Sequence, residues 1–304
     1  MKPTLQPINR QVIVITGATS GIGLATAKTA AERGAKLVLA ARNDVILSDI
    51  VGNINSGGGE AIFVAADVSD REQVQRIADA AITHFGRIDT WVNNAGLSIY
   101  GRLREVSEKD HRRLFDINFW GIVHGSLAAL PHLIRSGGAL INLGSEASDA
   151  VVPLQGMYSA TKHAVKGFTD ALRVEVEKVD DAPVSITLVQ PTAVNTPFPQ
   201  HAKNYMEHEP KLPSPQIDPF QVAEAILDAA TTPRSHVTVG AMAKVNTALF
   251  KILPDLAETL ATKYASRQQY DEAPRDPEGA LYRAGDDGQI YGSGPIPIDA
   301  QQDA

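Results

Sequence analysis

The chain has 304 residues, 43% hydrophobic and 21% charged, which excludes a wholly disordered polymer and allows one large buried core. It contains no cysteine, so disulfides, thiolate metal sites and a thiol nucleophile are excluded. Its net charge of −7 offers no basic surface for general nucleic-acid binding.

The opening MKPTLQPINR lacks the apolar stretch of a secretion signal. No run approaches the roughly 18 apolar residues of a membrane span, so a cytoplasmic protein is expected. Val12–Thr16 (VIVIT) is uninterrupted and β-branched, as suits a strand buried on both faces. Ile22–Arg33 reads as a helix stopped by Gly34, and Lys36–Ala41 as a second strand. Val45–Asn55 is helical, Ala61–Ala65 a strand, Glu72–Phe85 a helix closed by Gly86, and Ile88–Asn93 a strand. Glu108–Ile134 holds one long helix or two, with Pro131 marking a kink or stop. Ala139–Leu143 (strand), Gly156–Lys178 (helix), Val184–Val189 (strand), Phe220–Ala230 (helix) and His236–Val239 (strand) complete the alternation.

Strands joined by helices, with connections too long for hairpins, predict an α/β fold: a doubly wound parallel sheet with helices on both faces, Rossmann-like in form. One domain over 8–240 is expected, with 241–304 as an extension. Gln190–Pro219 holds seven prolines, too many for a sheet interior, and predicts a lid. Within Ala241–Thr262, Met242, Val245, Leu249, Ile252, Leu253, Leu256 and Leu260 form an apolar stripe interrupted by Pro254. It predicts two short helices packed on the domain or covering the lid; Lys244 and Lys251 are too few for a membrane-surface helix. From about Arg267 the composition turns polar and rich in Gly, Pro and Asp, as in an extended tail with little core of its own.

Gly17, Gly21 and Gly23 in Thr16-Gly17-Ala18-Thr19-Ser20-Gly21-Ile22-Gly23 lie where a strand turns into a helix. Residues without Cβ there let the backbone approach a pyrophosphate, and the helix N-terminus supplies N–H groups to it. Thr19, Ser20 and Ile22 belong to the same turn. At the end of the second strand, the acidic slot of NAD sites holds Ala41, followed by Arg42 and Asn43. A guanidinium there suits a 2′-phosphate and predicts NADP(H), whereas a solvated strand-capping Arg is the plainer alternative. Asp67, with Val68 beside it, is placed to accept from an adenine amino group or to cap the next helix. Asn94, Ala95 and Gly96 follow Asn93 at the end of the fourth strand and suit a backbone lying close to a cofactor.

Tyr158 and Lys162 are four apart on one helix and share a face. Ser145 follows the fifth strand, thirteen positions before Tyr158, so the chain can return to bring the hydroxyls together. A tyrosine with a pKa near 10 needs neighbouring positive charge to serve as a base near neutral pH, and the Lys162 ammonium together with the positive nicotinamide ring of an oxidised cofactor can provide it. Ser145 can donate to a substrate oxygen, and Asn118 can hold a water that relays protons from Lys162.

These pieces together (Thr16–Gly23, Asp67, Asn93–Gly96, Asn118, Ser145, Tyr158, Lys162) resemble the short-chain dehydrogenase/reductase family from about Gln11 to Val239. The resemblance implies Tyr158 as acid/base, Lys162 on the nicotinamide ribose, Ser145 orienting the substrate and Asn118 as fourth member of a proton relay. Pro191-Thr192 stands where the family has Pro-Gly, with Thr192 offering its backbone to the carboxamide and Thr196 contacting the carboxamide or phosphate. The resemblance also implies a homodimer or homotetramer and a small carbonyl or alcohol substrate.

An NADP(H)-dependent oxidoreductase interconverting a carbonyl and an alcohol is therefore expected. A non-catalytic NADP(H) sensor or scaffold is the alternative, and an NAD-retaining epimerase or dehydratase a third reading that Arg42 disfavours. The scattered histidines give no metal site. Glu146 and Asp149 could line the pocket mouth and attract a polar or cationic substrate, with solvation at a loop tip the plainer reading, and Lys166 is expected to be a surface or interface lysine. Val152, Leu154, Met157 and Phe198 are expected as pocket walls.

Overall fold

The computed structural model describes residues 3–252, 254–265, 268–285 and 288–292. Strands β1 (Val12–Thr16), β2 (Lys36–Ala41), β3 (Glu60–Ala65), β4 (Thr90–Asn93), β5 (Ile99–Tyr100), β6 (Ala139–Leu143), β7 (Ser185–Pro191), β8 (Lys203–Asn204) and β9 (His236–Val239) are interleaved with helices. These are α1 (Gly21–Glu32), α2 (Asp44–Ser56), α3 (Arg71–Phe85), α4 (Glu108–Phe115), α5 (Gly121–Ser136), α6 (Gly156–Arg173), α7 (Phe198–His201), α8 (Pro219–Ala229), α9 (Ala241–Ile252) and α10 (Pro254–Ala265).

Seven strands make one parallel sheet in the order β3-β2-β1-β4-β6-β7-β9. The chain starts in the middle, winds out through β2 and β3, then crosses to β4 and winds the other way. The switch between β1 and β4 opens a crevice at the carboxyl edge, where such sheets bind ligands. Pleat alternation sends Val12 and Val14 to one core with Trp91 and Leu140, and Ile13 and Ile15 to the other with Leu37 and Ile141. Two covered faces are why these strands read as unbroken apolar runs. Helix ends are set locally: Asn43 accepts from the Ile46 N–H at 3.1 Å to cap α2, and Gly86 at φ 75° closes α3.

The region from Glu108 differs from expectation in where it breaks. Helix α5 runs through Pro131 to Ser136. The carbonyl that Pro131 leaves unbonded belongs to Leu127, whose side chain is 50% exposed, so that face meets water. The interruption lies upstream, in a π-helical turn at Asp116–Trp120 that contains Asn118.

The extension also differs. Ala243, Ala257 and Ala261 are its buried helix positions, while Ile252 and Leu256 of the expected stripe are exposed. Leu253 and the side chains of Val245 and Leu260 lie outside the described residues. Farther on, the polar segment docks onto the domain: Leu281 and Ala280 join the core that holds Trp91, and Ile290 packs with Leu24, Ala25 and Ala223. No helix among the described residues is long and apolar enough to cross a membrane.

Ile15 is fully buried at the centre of the sheet. Ile15→Ala is expected to lower the urea-unfolding free energy by about 2–5 kcal/mol, with an unchanged far-ultraviolet circular dichroism spectrum.

Candidate active site

The carboxyl ends of β1, β2, β4, β6 and β7 open into one cleft lined by the glycine turn, Arg42, Asp67, Asn94–Gly96, Ser145, Tyr158, Lys162 and Pro191–Thr192. The turn leaves no room for side chains. Gly17 has φ +67°, and a Cβ there would meet the Ala95 Cα at 2.8 Å. A Cβ on Gly23 would collide with the Gly17 carbonyl. Asn94 braces this turn: its Nδ2 donates to the Thr16 carbonyl at 2.9 Å and to the Gly17 carbonyl at 3.1 Å. Ser20 occupies the N-cap position of α1 but its side chain makes no cap bond, so the hydroxyl remains available to a ligand. Thr196 lies against Gly21, and its Oγ1 donates to the Val194 carbonyl at 3.4 Å.

At the far end of the cleft, Arg42 Nη2 donates to the Ala280 carbonyl at 2.6 Å, while Nη1 is buried with no acceptor among the described residues. Burial pulls this guanidinium below its ordinary value, and the nearby Asp67 partly opposes that. Asp67 accepts from the Ser69 Oγ at 2.7 Å and pairs with Arg113. Burial alone would raise its carboxyl; the Arg113 and Ser69 bonds outweigh it and hold Asp67 below the usual carboxylate range. The helix cap considered for Asp67 falls instead to Asp70, which accepts from the Glu72 N–H at 2.9 Å.

The catalytic candidates converge. Lys162 is 4% exposed and its Nζ donates to the Leu143 carbonyl at 2.8 Å, 5.8 Å from the Tyr158 ring centre. Burial pulls this ammonium down to about 8. Burial likewise pushes the Tyr158 phenol up to about 12; the nearby Ser145 hydroxyl opposes this and the Glu146 charge adds to it. With the chain's own groups alone, desolvation of both side chains dominates, so a depressed tyrosine needs the added positive charge of an oxidised nicotinamide. Asn118, fully buried, has its carboxamide engaged: Oδ1 accepts from the Leu97 N–H at 2.9 Å, and Nδ2 donates to the Leu97 carbonyl at 2.9 Å and to Thr161 Oγ1 at 3.1 Å. Its side chain clamps the loop after β4.

Several expectations change. Glu146 lines the cleft, as its pocket-mouth reading has it, and is held rather than freely solvated: its Oε2 accepts from Asn246 of α9 at 2.9 Å and from Thr192 Oγ1 at 3.2 Å, and burial raises its carboxyl. Asp149 pairs with Lys166 and accepts from Gln190 at 2.7 Å. The Thr192 N–H donates to the Val239 carbonyl at 3.0 Å, because pairing between β7 and β9 continues past Pro191, so it is not open to a carboxamide. Val152 and Phe198 line the cleft, Phe198 meeting the Tyr158 ring edge-on at 5.5 Å, whereas Met157 packs on the core and Leu154 is not in the lining.

Arg113, Gln155 and the segment Ala280–Gly285 carried no sequence signal. Gln155, 3% exposed, donates to Gln268 at 2.8 Å and accepts from Ser98 at 3.1 Å, tying the end of the chain to the tyrosine helix. Their partners lie far along the chain, so no local spacing reveals them.

A family profile described as short chain dehydrogenase matches residues 11–207. The chain belongs to the short-chain dehydrogenase/reductase family of oxidoreductases. An uncharacterized oxidoreductase, YxnA of Bacillus subtilis, is 45% identical over 289 residues, covering 93% of this chain and 81% of that one. A short-chain dehydrogenase/reductase of Burkholderia phymatum solved with NAD superposes with TM-score 0.73 at 29% identity, covering 81% of this chain and 94% of that one. One from Burkholderia cenocepacia solved with NADP superposes with TM-score 0.71 at 26% identity, covering 84% and 99%.

The depressed Lys162 carries a stability signature. The unfolded chain binds a proton up to 10.5 and the folded chain only up to about 8, so this residue costs stability below about 8 and the cost disappears as pH rises to 10.5. Lys162→Met is expected to be more stable than wild type to urea at pH 7, with the advantage shrinking between pH 8 and 10.5; an advantage independent of pH would contradict the sign.

Proposed function

We propose that this protein is an NADP(H)-dependent oxidoreductase that interconverts a ketone or aldehyde and the corresponding alcohol. The observation that carries the reading is the convergence of Ser145, Tyr158 and Lys162 in one cleft with a glycine turn that admits no side chain. The family is one of oxidoreductases, and neighbours of known structure hold NAD or NADP.

The fit to a dinucleotide rests on the donors. The start of α1 leaves the Ile22 and Gly23 N–H groups without intrahelical acceptors for a diphosphate, and Ser20 keeps its hydroxyl clear of the cap. Arg42 has a buried Nη1 without an acceptor among the described residues, while the position before it is Ala41. A guanidinium edge that lacks a partner gains a stronger, charge-assisted bond from a 2′-phosphate than from a ribose hydroxyl, which supports NADP(H) over NAD(H). When bound, the nicotinamide supplies or accepts the hydride and, oxidised, adds a positive charge to the site.

The chain's own residues do the rest. Ser145 donates to the substrate oxygen and orients it beside Tyr158. Tyr158 gives its phenolic proton to that oxygen in reduction and takes it back in oxidation. Its raised value keeps the phenol protonated across the neutral range, which suits the reductive direction. Lys162, held by the Leu143 carbonyl, stays close enough for its ammonium to stabilise the phenolate formed. Asn118 positions the loop at Gly96 through its Leu97 bonds. The apolar walls at Val152 and Phe198 favour a substrate with an apolar part.

Tyr158→Phe is expected to lower kcat at least about a hundredfold while NADPH still binds, measured by absorbance loss and fluorescence titration. Retained turnover would defeat the acid/base assignment, whereas a wild type that binds NADPH tightly but oxidises it with no member of a broad carbonyl panel would favour the sensor reading. Arg42→Asp is expected to move the kcat/KM ratio toward NADH by about tenfold or more, the worth of one charge-assisted contact.

A further inference from the structure

The polar segment after α10 makes its contacts on groups expected to face the dinucleotide. Helix α1 leaves the N–H groups of Gly21, Ile22 and Gly23 without intrahelical acceptors, since its first bond runs from the Leu24 N–H to the Ser20 carbonyl at 3.2 Å. The Gly21 N–H donates to the Gln289 carbonyl at 2.8 Å. Arg42 donates to the Ala280 carbonyl at 2.6 Å, Asn43 Nδ2 to the Gly285 carbonyl at 3.0 Å and Arg113 Nε to the Leu281 carbonyl at 3.2 Å. Three domain side chains and one turn N–H thus grip backbone carbonyls of a single segment.

That segment is anchored on both sides of the cleft. Leu281 is fully buried, and Ile290 sits among Leu24, Ala25 and Ala223 on α1 and α8. The Tyr291 hydroxyl donates to Asp218 at 3.1 Å. Gly279 holds φ +52°, and a Cβ on it would press on the Ala202 backbone; one on Gly292 would press on the Thr196 carbonyl at 2.5 Å. Ala280, Ala284 and Gly285 of this segment form part of the wall of the cleft that the glycine turn also lines.

We infer that the C-terminal segment is a built wall of the dinucleotide site: it encloses the adenosine side of the cofactor, and its Ala280 carbonyl fixes Arg42 so that Nη1 is the edge presented to the 2′-phosphate. The inference rests on the cofactor reading above and adds to it a binding element outside the matched family region, which ends at residue 207. A guanidinium held by a neutral carbonyl on one edge keeps its full charge for an anion on the other. Had a carboxylate held that edge, the charge would have been neutralised. The cleft still reaches from Gly17 to Lys162 with the segment seated, so the segment bounds the site and does not fill it. A cofactor enclosed in this way leaves only when the segment lifts, which makes release slow.

The test uses the full-length protein with Ile290→Asp, which puts a charge into the apolar seat, and Tyr291→Phe, which removes one anchor and keeps the ring. NADPH and NADH affinities are measured by fluorescence titration, and NADPH release by stopped-flow chase. Ile290→Asp is expected to speed NADPH release by about tenfold and to weaken NADPH more than NADH, because Arg42 loses its brace. Tyr291→Phe is expected to change both in the same direction by about threefold, and it decides the matter if the first variant does not fold. Unchanged release in a folded variant overturns the inference, as does faster association with tighter binding, which would make the segment a plug. Arg42→Asp separates the two proposals: if it shifts cofactor choice while the seat variants change nothing, only the wall fails. If the wild type binds neither nucleotide, both fail.

Discussion

A lysine ammonium buried to 4% exposure must find an acceptor, and Lys162 finds it in the carbonyl of Leu143, the last residue of β6. That bond docks the middle of α6 on the carboxyl edge of the sheet, two residues before Ser145. Tyr158, one turn earlier on the same helix, is then brought against the Ser145 hydroxyl. The geometry of the candidate site therefore depends on a charge held where burial opposes it, and the large apolar cores on both faces of the sheet supply the stability that offsets this cost.

Around that bond, buried polar groups hold backbone in place. Asn118 clamps the Leu97 backbone, Asn94 braces the glycine turn and Asn93 donates to Asn142 at 2.9 Å across neighbouring strands. Each carboxamide offers donor and acceptor together, which lets it replace the ladder bonds that loops lack at the end of a sheet. The π-helical turn at Asp116–Trp120 serves the same end by giving Asn118 its place between the loop and Thr161.

The departures from the family pattern form connected groups. Thr192 stands where a glycine is usual, its hydroxyl donates to Glu146, and Glu146 also accepts from Asn246 of α9. The end of β7, the loop after β6 and the extension are thus fastened to one buried carboxylate. On the opposite side of the cleft, Arg42, Asn43 and Arg113 are fastened to the polar segment. The part of the chain with the weakest sequence signal meets both ends of the site.

Order, type and approximate limits of the core strands and helices were legible in the sequence, because two covered faces impose unbroken apolar runs and helices of this kind end at glycine or a capping side chain. The glycine turn and the Tyr158–Lys162 spacing were legible for a similar reason: each depends on residues close together in the chain. Pro131 misled because its effect depends on which face of α5 meets water. Glu146 misled because the groups that bury it, Thr192 and Asn246, come from distant segments. Sequence by itself determined the sheet, the turn and the candidate side chains of the site, all set by local steric and periodic rules. Only the tertiary structure decided the direction in which burial shifts Tyr158 and Lys162 and the path of the polar segment after α10, since desolvation and long-range hydrogen bonds exist only once distant parts of the chain are packed together.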